Sequence, residues 1–140
     1  MPVAAPPLRG SKLVVDYTGV GRPVLDMLRK AKVGASVTPL FVTSGKNSSD
    51  DGRGGWLVPR QELAATLQVL LQSRRLRVAQ ALPEAAMLAR ELAAFQVKVS
   101  AAAETEMDAW RQGTHDDLVL AVAASTWLGE HAMRRLVVWV

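Results

Sequence analysis

The chain has no cysteine among its 140 residues. A disulfide framework, a thiolate nucleophile and a sulfur-ligated zinc site are therefore excluded, and a reducing cytoplasm suits the composition. Histidine is also scarce, with two copies. Neither belongs to a His-Glu-x-x-His zinc motif, and a Gly-x-Ser-x-Gly nucleophile elbow is absent as well. Long apolar runs are missing. The most apolar segment, Leu118–Leu128, is too short to span a bilayer and is interrupted by Ser125 and Thr126. The opening MPVAAPPLRG has neither the basic start nor the apolar stretch of a signal peptide. A soluble, cytoplasmic protein without membrane contact is expected.

Aromatic residues make up only 5% of the chain, and no basic residues interleave with the four tryptophans in a stripe. Packing explains those tryptophans better than base stacking does. Charge of one sign is only mildly in excess: 17 Lys and Arg against 13 Asp and Glu give +4 and a pI near 10.0. This balance tolerates a polyanionic partner without requiring one. Basic residues cluster at Arg29, Lys30 and Lys32, at Arg74, Arg75 and Arg77, and at Arg134 and Arg135. Cations at helix C-termini also meet the helix dipole favourably, which accounts for the first two clusters equally well.

What is abundant is apolar side chain, 49% of the sequence, enough for the core of one domain. Lys12–Asp16 (KLVVD) predicts a strand that ends in an acid. Thr18-Gly19-Val20-Gly21 supplies a tight turn, and Pro23 suits the first turn of a helix. That helix is expected from about Pro23 to Lys32, with Val24, Leu25 and Leu28 inward and Gly34 as its stop. A second strand is expected at Ser36–Thr43, with Pro39 marking a bulge or edge. Ser44–Gly55 is nearly free of apolar residues and predicts a mobile surface loop, after which Trp56, Leu57 and Val58 return to the protein.

From Arg60 to about Ser73, leucines at 63, 67, 70 and 71 have the spacing of an amphipathic helix. Leu76–Ala79 reads as a brief extended segment. Pro83 and Glu84 then open a helix with Met87, Leu88, Leu92 and Phe95 on one side, and Gln96–Ser100 alternates like a half-buried strand. A helix from about His115 to Glu130 is apolar around most of its circumference and is expected to be buried. Leu136–Val140 would be an edge strand or a disordered end. Strands alternating with helices imply parallel βαβ connections in an α/β sandwich.

Two acidic positions stand at the mouths of these elements: Asp16 at the end of the first strand, and Asp116-Asp117 at the start of the last helix. The carboxyl ends of parallel strands form the usual ligand crevice of an open α/β sheet. Carboxylates there bind Mg²⁺ or Mn²⁺, and a pair of such ions supports phosphodiester hydrolysis. Structural roles compete. Thr114-x-x-Asp117 fits a capping box, and Asp16 fits an Asx turn around Thr18 and Gly19. His115 fits either a metal-adjacent group or a solvated first-turn residue. Thr18–Gly21 lacks the third glycine of a dinucleotide fingerprint, and Gly45-Lys46 lacks the rest of a P-loop.

In order and spacing, VVDYTGVGRPVLDML at 14–28, WLVPRQELAATLQVLL at 56–71 and THDDLVLAVAAS at 114–125 together resemble the C-terminal nuclease domain of phage terminase large subunits. The resemblance runs from about Lys12 to Glu130. It implies a ribonuclease-H-like (RuvC-like) three-layer α/β/α sandwich over 12–140, preceded by an extended or disordered segment at 1–11. It also implies a divalent-metal-dependent DNA endonuclease of phage or prophage origin that acts on double-stranded DNA during packaging. Asp16 would be the second acid of a two-metal Mg²⁺ or Mn²⁺ site and Asp117 the third, with Asp116 its rival; Leu120 stands where many relatives carry a further acid. The family's initial β-meander, whose first strand supplies the first acid, has no counterpart in residues 1–11.

That difference implies an N-terminally truncated domain: a fragment, one half of a split gene, or a prophage remnant. It also implies a need for a terminase partner chain, dimerisation or strand exchange. The alternative expectation is a non-catalytic remnant or assembly module that binds DNA or a terminase partner.

Overall fold

The computed structural model describes residues 9–19, 21–102 and 116–135, with the backbone alone for 96–102 and 132–135. Four strands, β1 (Lys12–Asp16), β2 (Ser36–Thr43), β3 (Ser49–Asp50) and β4 (Trp56–Pro59), form one sheet in the order β1-β2-β4-β3. The helices are α1 (Arg22–Lys30), α2 (Arg60–Gln72), α3 (Ala85–Ala102) and α4 (Asp117–Arg135). β1, β2 and β4 run parallel, and β3 runs antiparallel to β4 at the edge. The architecture is mixed α/β.

Period-two alternation in β2 divides the sheet's two faces. Leu40 and Val42 join Val58 in a cluster with Leu63 and Leu67 of α2, Leu88 and Phe95 of α3, and Val119, Ala123 and Trp127 of α4. The intervening Val37 and Pro39 line clefts with Leu25, Leu28 and Val33, so α1 and the turn after it cover the opposite face. Parallel strands call for cover on both faces, and α1 supplies it over β2 on this side. The fully buried leucines of α2, 63 and 67, lie one helical turn apart, as their spacing predicts.

Several expectations are corrected. Gln96–Ser100 is not a strand but part of α3, which continues unbroken to Ala102. No glycine or proline interrupts 85–102, and the alanines around the Val97/Val99 alternation favour helix. α4 is not buried all round, because Asp117, Ala121, Ser125 and Gly129 leave an exposed stripe at every fourth position. Small side chains on that stripe hid it from a purely hydrophobic reading. α1 ends at Lys30 rather than Lys32, and Lys32 itself takes a left-handed φ of 47° before Gly34 at 76°. Residues 75–79 are neither helix nor strand. Thr114, expected in a capping box, His115 and the tail 136–140 lie outside the described residues.

The expected mobile loop at 44–55 is instead an organised connection that contains β3. Asp50 Oδ1 accepts from the Gly52 amide at 2.6 Å, and Asp51 Oδ1 accepts from the amides of Arg53 and Gly55 at 2.7 and 2.8 Å. These Asx-type bonds let the chain pass outside β4, make β3 and turn back, so that β4 slots between β3 and β2. Gly55 is buried at this reversal, and a Cβ there would stand 2.7 Å from the Pro39 carbonyl oxygen and 2.6 Å from Asp51 Oδ2. Backbone cannot yield as a long side chain can. Gly55→Ala is therefore expected to destabilise the protein by about 1–3 kcal/mol, read as a lower urea midpoint. An unchanged midpoint would contradict the close approach of β2 and β4.

Candidate functional site

The carboxyl end of β1 is fixed by a chain of hydrogen bonds running through one threonine. Asp16 Oδ1 accepts from the Thr18 amide at 2.9 Å and also from the Thr18 hydroxyl. The Thr18 Oγ1 in turn accepts from the Val42 amide of β2 at 2.8 Å. Tyr17 donates its amide to the Leu40 carbonyl at 3.0 Å, and Gly21 closes the turn on the Tyr17 carbonyl at 3.2 Å. Asp16 is therefore the Asx-turn residue that the sequence allowed. Among the described residues its Oδ2 accepts no hydrogen bond, so the turn occupies one oxygen and leaves the other for a ligand.

Strand register places Asp16 opposite Leu40, and Leu40 opposite Trp56. These three residues form a row across the sheet on the face that α4 covers. Over Trp56, α4 contributes Trp127, with ring centroids 5.7 Å apart, and His131 at 4.5 Å. His131 also stacks on Trp127 at 4.8 Å. α4 also packs directly on β1. The helix itself opens at Asp117, directly after Asp116.

The start of α4 is capped from another helix. Glu91 Oε2 on α3 accepts from the amides of Leu118 and Val119 at 3.1 and 3.2 Å. Those are the second and third helical amides, the pair that a helix's own N-cap side chain would normally serve. Asp116 occupies the N-cap position, half-buried, and its carbonyl accepts the Leu120 amide at 2.9 Å. Asp117 is exposed in the first turn. With Glu91 supplying the cap, the carboxylate of Asp117 is not needed for it.

The middle of α4 is held by Glu62 in the first turn of α2. Glu62 Oε1 accepts from Trp127 Nε1 at 2.8 Å and from Ser48 Oγ at 3.1 Å, joining α2, α4 and the β2–β3 loop. Arg75 pairs with Glu130 through both guanidinium nitrogens, and that carboxylate raises the already high Arg75 pKa. Neither Glu62 nor Glu91 was legible as a positioning residue in the sequence. Each acts on a partner far away in the chain, and acids early or midway in helices are ordinary.

A two-metal centre needs several hard oxygen ligands. Asp16 offers one free oxygen at a strand end, and the Asp116-Asp117 pair opens a helix packed on the same strand. Among the described residues, however, no three His, Asp or Glu side chains gather closely enough to hold a metal ion. These residues do not by themselves make a complete metal centre. Among the described residues no helix is long and apolar enough to cross a membrane. Comparisons with protein-family models, curated protein sequences and solved structures give no match.

Replacing Thr18 by Val keeps its shape and removes the hydroxyl. The Val42 amide then lacks its partner, and a cost of about 1–3 kcal/mol is expected. Thr18→Ser, which retains the oxygen, should recover most of that loss in urea unfolding. Equal stability of the Val and wild-type proteins would show that the turn does not tie β1 to β2.

Proposed function

We propose that the chain is a terminase-like DNA endonuclease domain, dependent on Mg²⁺ or Mn²⁺, whose metal centre is completed by a carboxylate outside the described residues. The observation that carries this reading is the Asx turn at Asp16: it orients the carboxylate at the carboxyl end of a parallel strand and, among the described residues, leaves Oδ2 without a hydrogen bond. The resemblance of Asp-x-Thr-Gly-x-Gly and His-Asp-Asp to terminase nuclease motifs supports it. So does the packing of the Asp116-Asp117 helix on β1. On this reading the fold is ribonuclease-H-like, the partner is double-stranded DNA undergoing packaging, and Asp16 and Asp117 are metal ligands, with Asp116 the alternative to Asp117.

A second reading, a non-catalytic remnant or assembly module, is favoured by one observation: the described residues hold no three-ligand metal group. Titration with Mn²⁺ followed by calorimetry separates the two. The nuclease reading expects saturable binding that weakens about tenfold or more, 1.4 kcal/mol, in Asp16→Asn and again in Asp117→Asn. It also expects that any plasmid nicking disappears in Asp16→Asn. Metal binding indifferent to both substitutions would exclude it and leave the assembly module.

A further inference from the structure

On the face of the sheet opposite α4, a cleft of about 300 Å³ opens beside the end of β1. It is lined by three cations from two separate segments: Arg22 and Arg29 on α1, and Arg53 on the β3–β4 turn. Tyr17, the residue after Asp16, forms part of the wall, half-buried with its ring 5.3 Å from Phe41. The two acids in the lining, Asp26 and Asp51, leave the cleft with one positive charge in excess. Asp26 meets Arg29 only at 4.0 Å, with both side chains at least half exposed, a pairing of little strength. Asp51 uses Oδ1 to bind the amides of Arg53 and Gly55 and so holds the turn that carries Arg53 to the cleft. Arg22 and Arg53 make no ion pair among the described residues. Both are exposed.

We infer that this cleft is an anion site that holds a backbone phosphate of DNA through Arg22, Arg29 and Arg53. Guanidinium forks match phosphate oxygens in geometry and remain charged at every physiological pH. A helix and a turn bring cations from two parts of the chain to one cleft, a grouping that an isolated surface arginine lacks. The cleft is open and its cations exposed, which suits a phosphate on an extended strand better than a small anion enclosed on all sides. Because Tyr17 directly follows Asp16, a strand anchored here passes the strand end where the candidate metal ligand lies. The choice of DNA as the polyanion rests on the nuclease reading, whereas the phosphate chemistry stands on the arginines alone.

The test uses the full chain with a fluorescein-labelled duplex, in EDTA, followed by anisotropy over a salt series. Wild type should bind. Arg22→Glu/Arg53→Glu should bind about tenfold more weakly or worse and reduce the salt-dependence slope by about one, for the one phosphate no longer neutralised. Arg77→Glu/Arg90→Glu makes the same change in net charge at exposed positions away from the cleft, and should weaken binding far less. Circular dichroism should show all variants folded, since each altered side chain is exposed.

Equal losses in the two double variants would overturn the site in favour of diffuse attraction, and absence of wild-type binding would overturn it outright. A parallel titration with inorganic pyrophosphate distinguishes the sources of phosphate. If the cleft variants lose pyrophosphate but keep DNA, the assignment to DNA is overturned. No metal is present in this experiment, so its failure is distinguishable from failure of the metal-binding reading.

Discussion

A parallel strand pair cannot stand with a bare face, and the rest of the molecule follows from covering β1, β2 and β4 on both sides. Leu40 and Val58, fully buried on neighbouring strands, are the base on which α2, α3 and α4 assemble. The opposite face receives α1 through Leu25 and the turn after it through Val33. Apolar burial provides the drive, at about 25 cal/mol per Å², but it does not set direction. Direction comes from a few polar contacts: Thr18 between β1 and β2, Glu91 at the start of α4, and Glu62 at its middle.

The same contacts connect fold to site. Thr18 fixes Asp16 at the strand end, and Glu91 accepts from the Leu118 and Val119 amides at the start of α4. A carboxylate already bonded on both oxygens has little left to offer a ligand; one bonded on a single oxygen is oriented and still available. The strand-end turn therefore ties β1 to β2 and leaves Asp16 Oδ2 without a hydrogen bond among the described residues. The opposite end of that turn leads into α1, where the arginine cleft lies, so the two faces of one strand end present a carboxylate and a set of cations.

Much of the fold was legible in the sequence. β1 and β2 fall within the predicted spans because β-branched runs are bounded by turn residues, and α2 because its leucines keep helical spacing. The misreadings have physical causes. Gln96–Ser100 alternates for only five residues, too short a window to outweigh the alanine-rich helix on either side. The 44–55 connection lacks apolar residues, so its order depends on aspartate-to-amide bonds and a glycine contact that hydrophobic patterning does not register. Asp16 could be picked out as a strand-end acid, and its Asx turn could be anticipated from Thr18. The Glu91 cap, the Glu62–Trp127 bond and the grouping of Arg53 with Arg22 and Arg29 are long-range, and no local pattern encodes them.

The central claim is that the free oxygen of Asp16 is a metal ligand. Anomalous diffraction from a manganese-soaked crystal tests it most directly. The account predicts an anomalous peak about 2.1 Å from Asp16 Oδ2, the distance of a hard cation bound to carboxylate. Manganese bound elsewhere on the molecule, with none at Asp16, would contradict it.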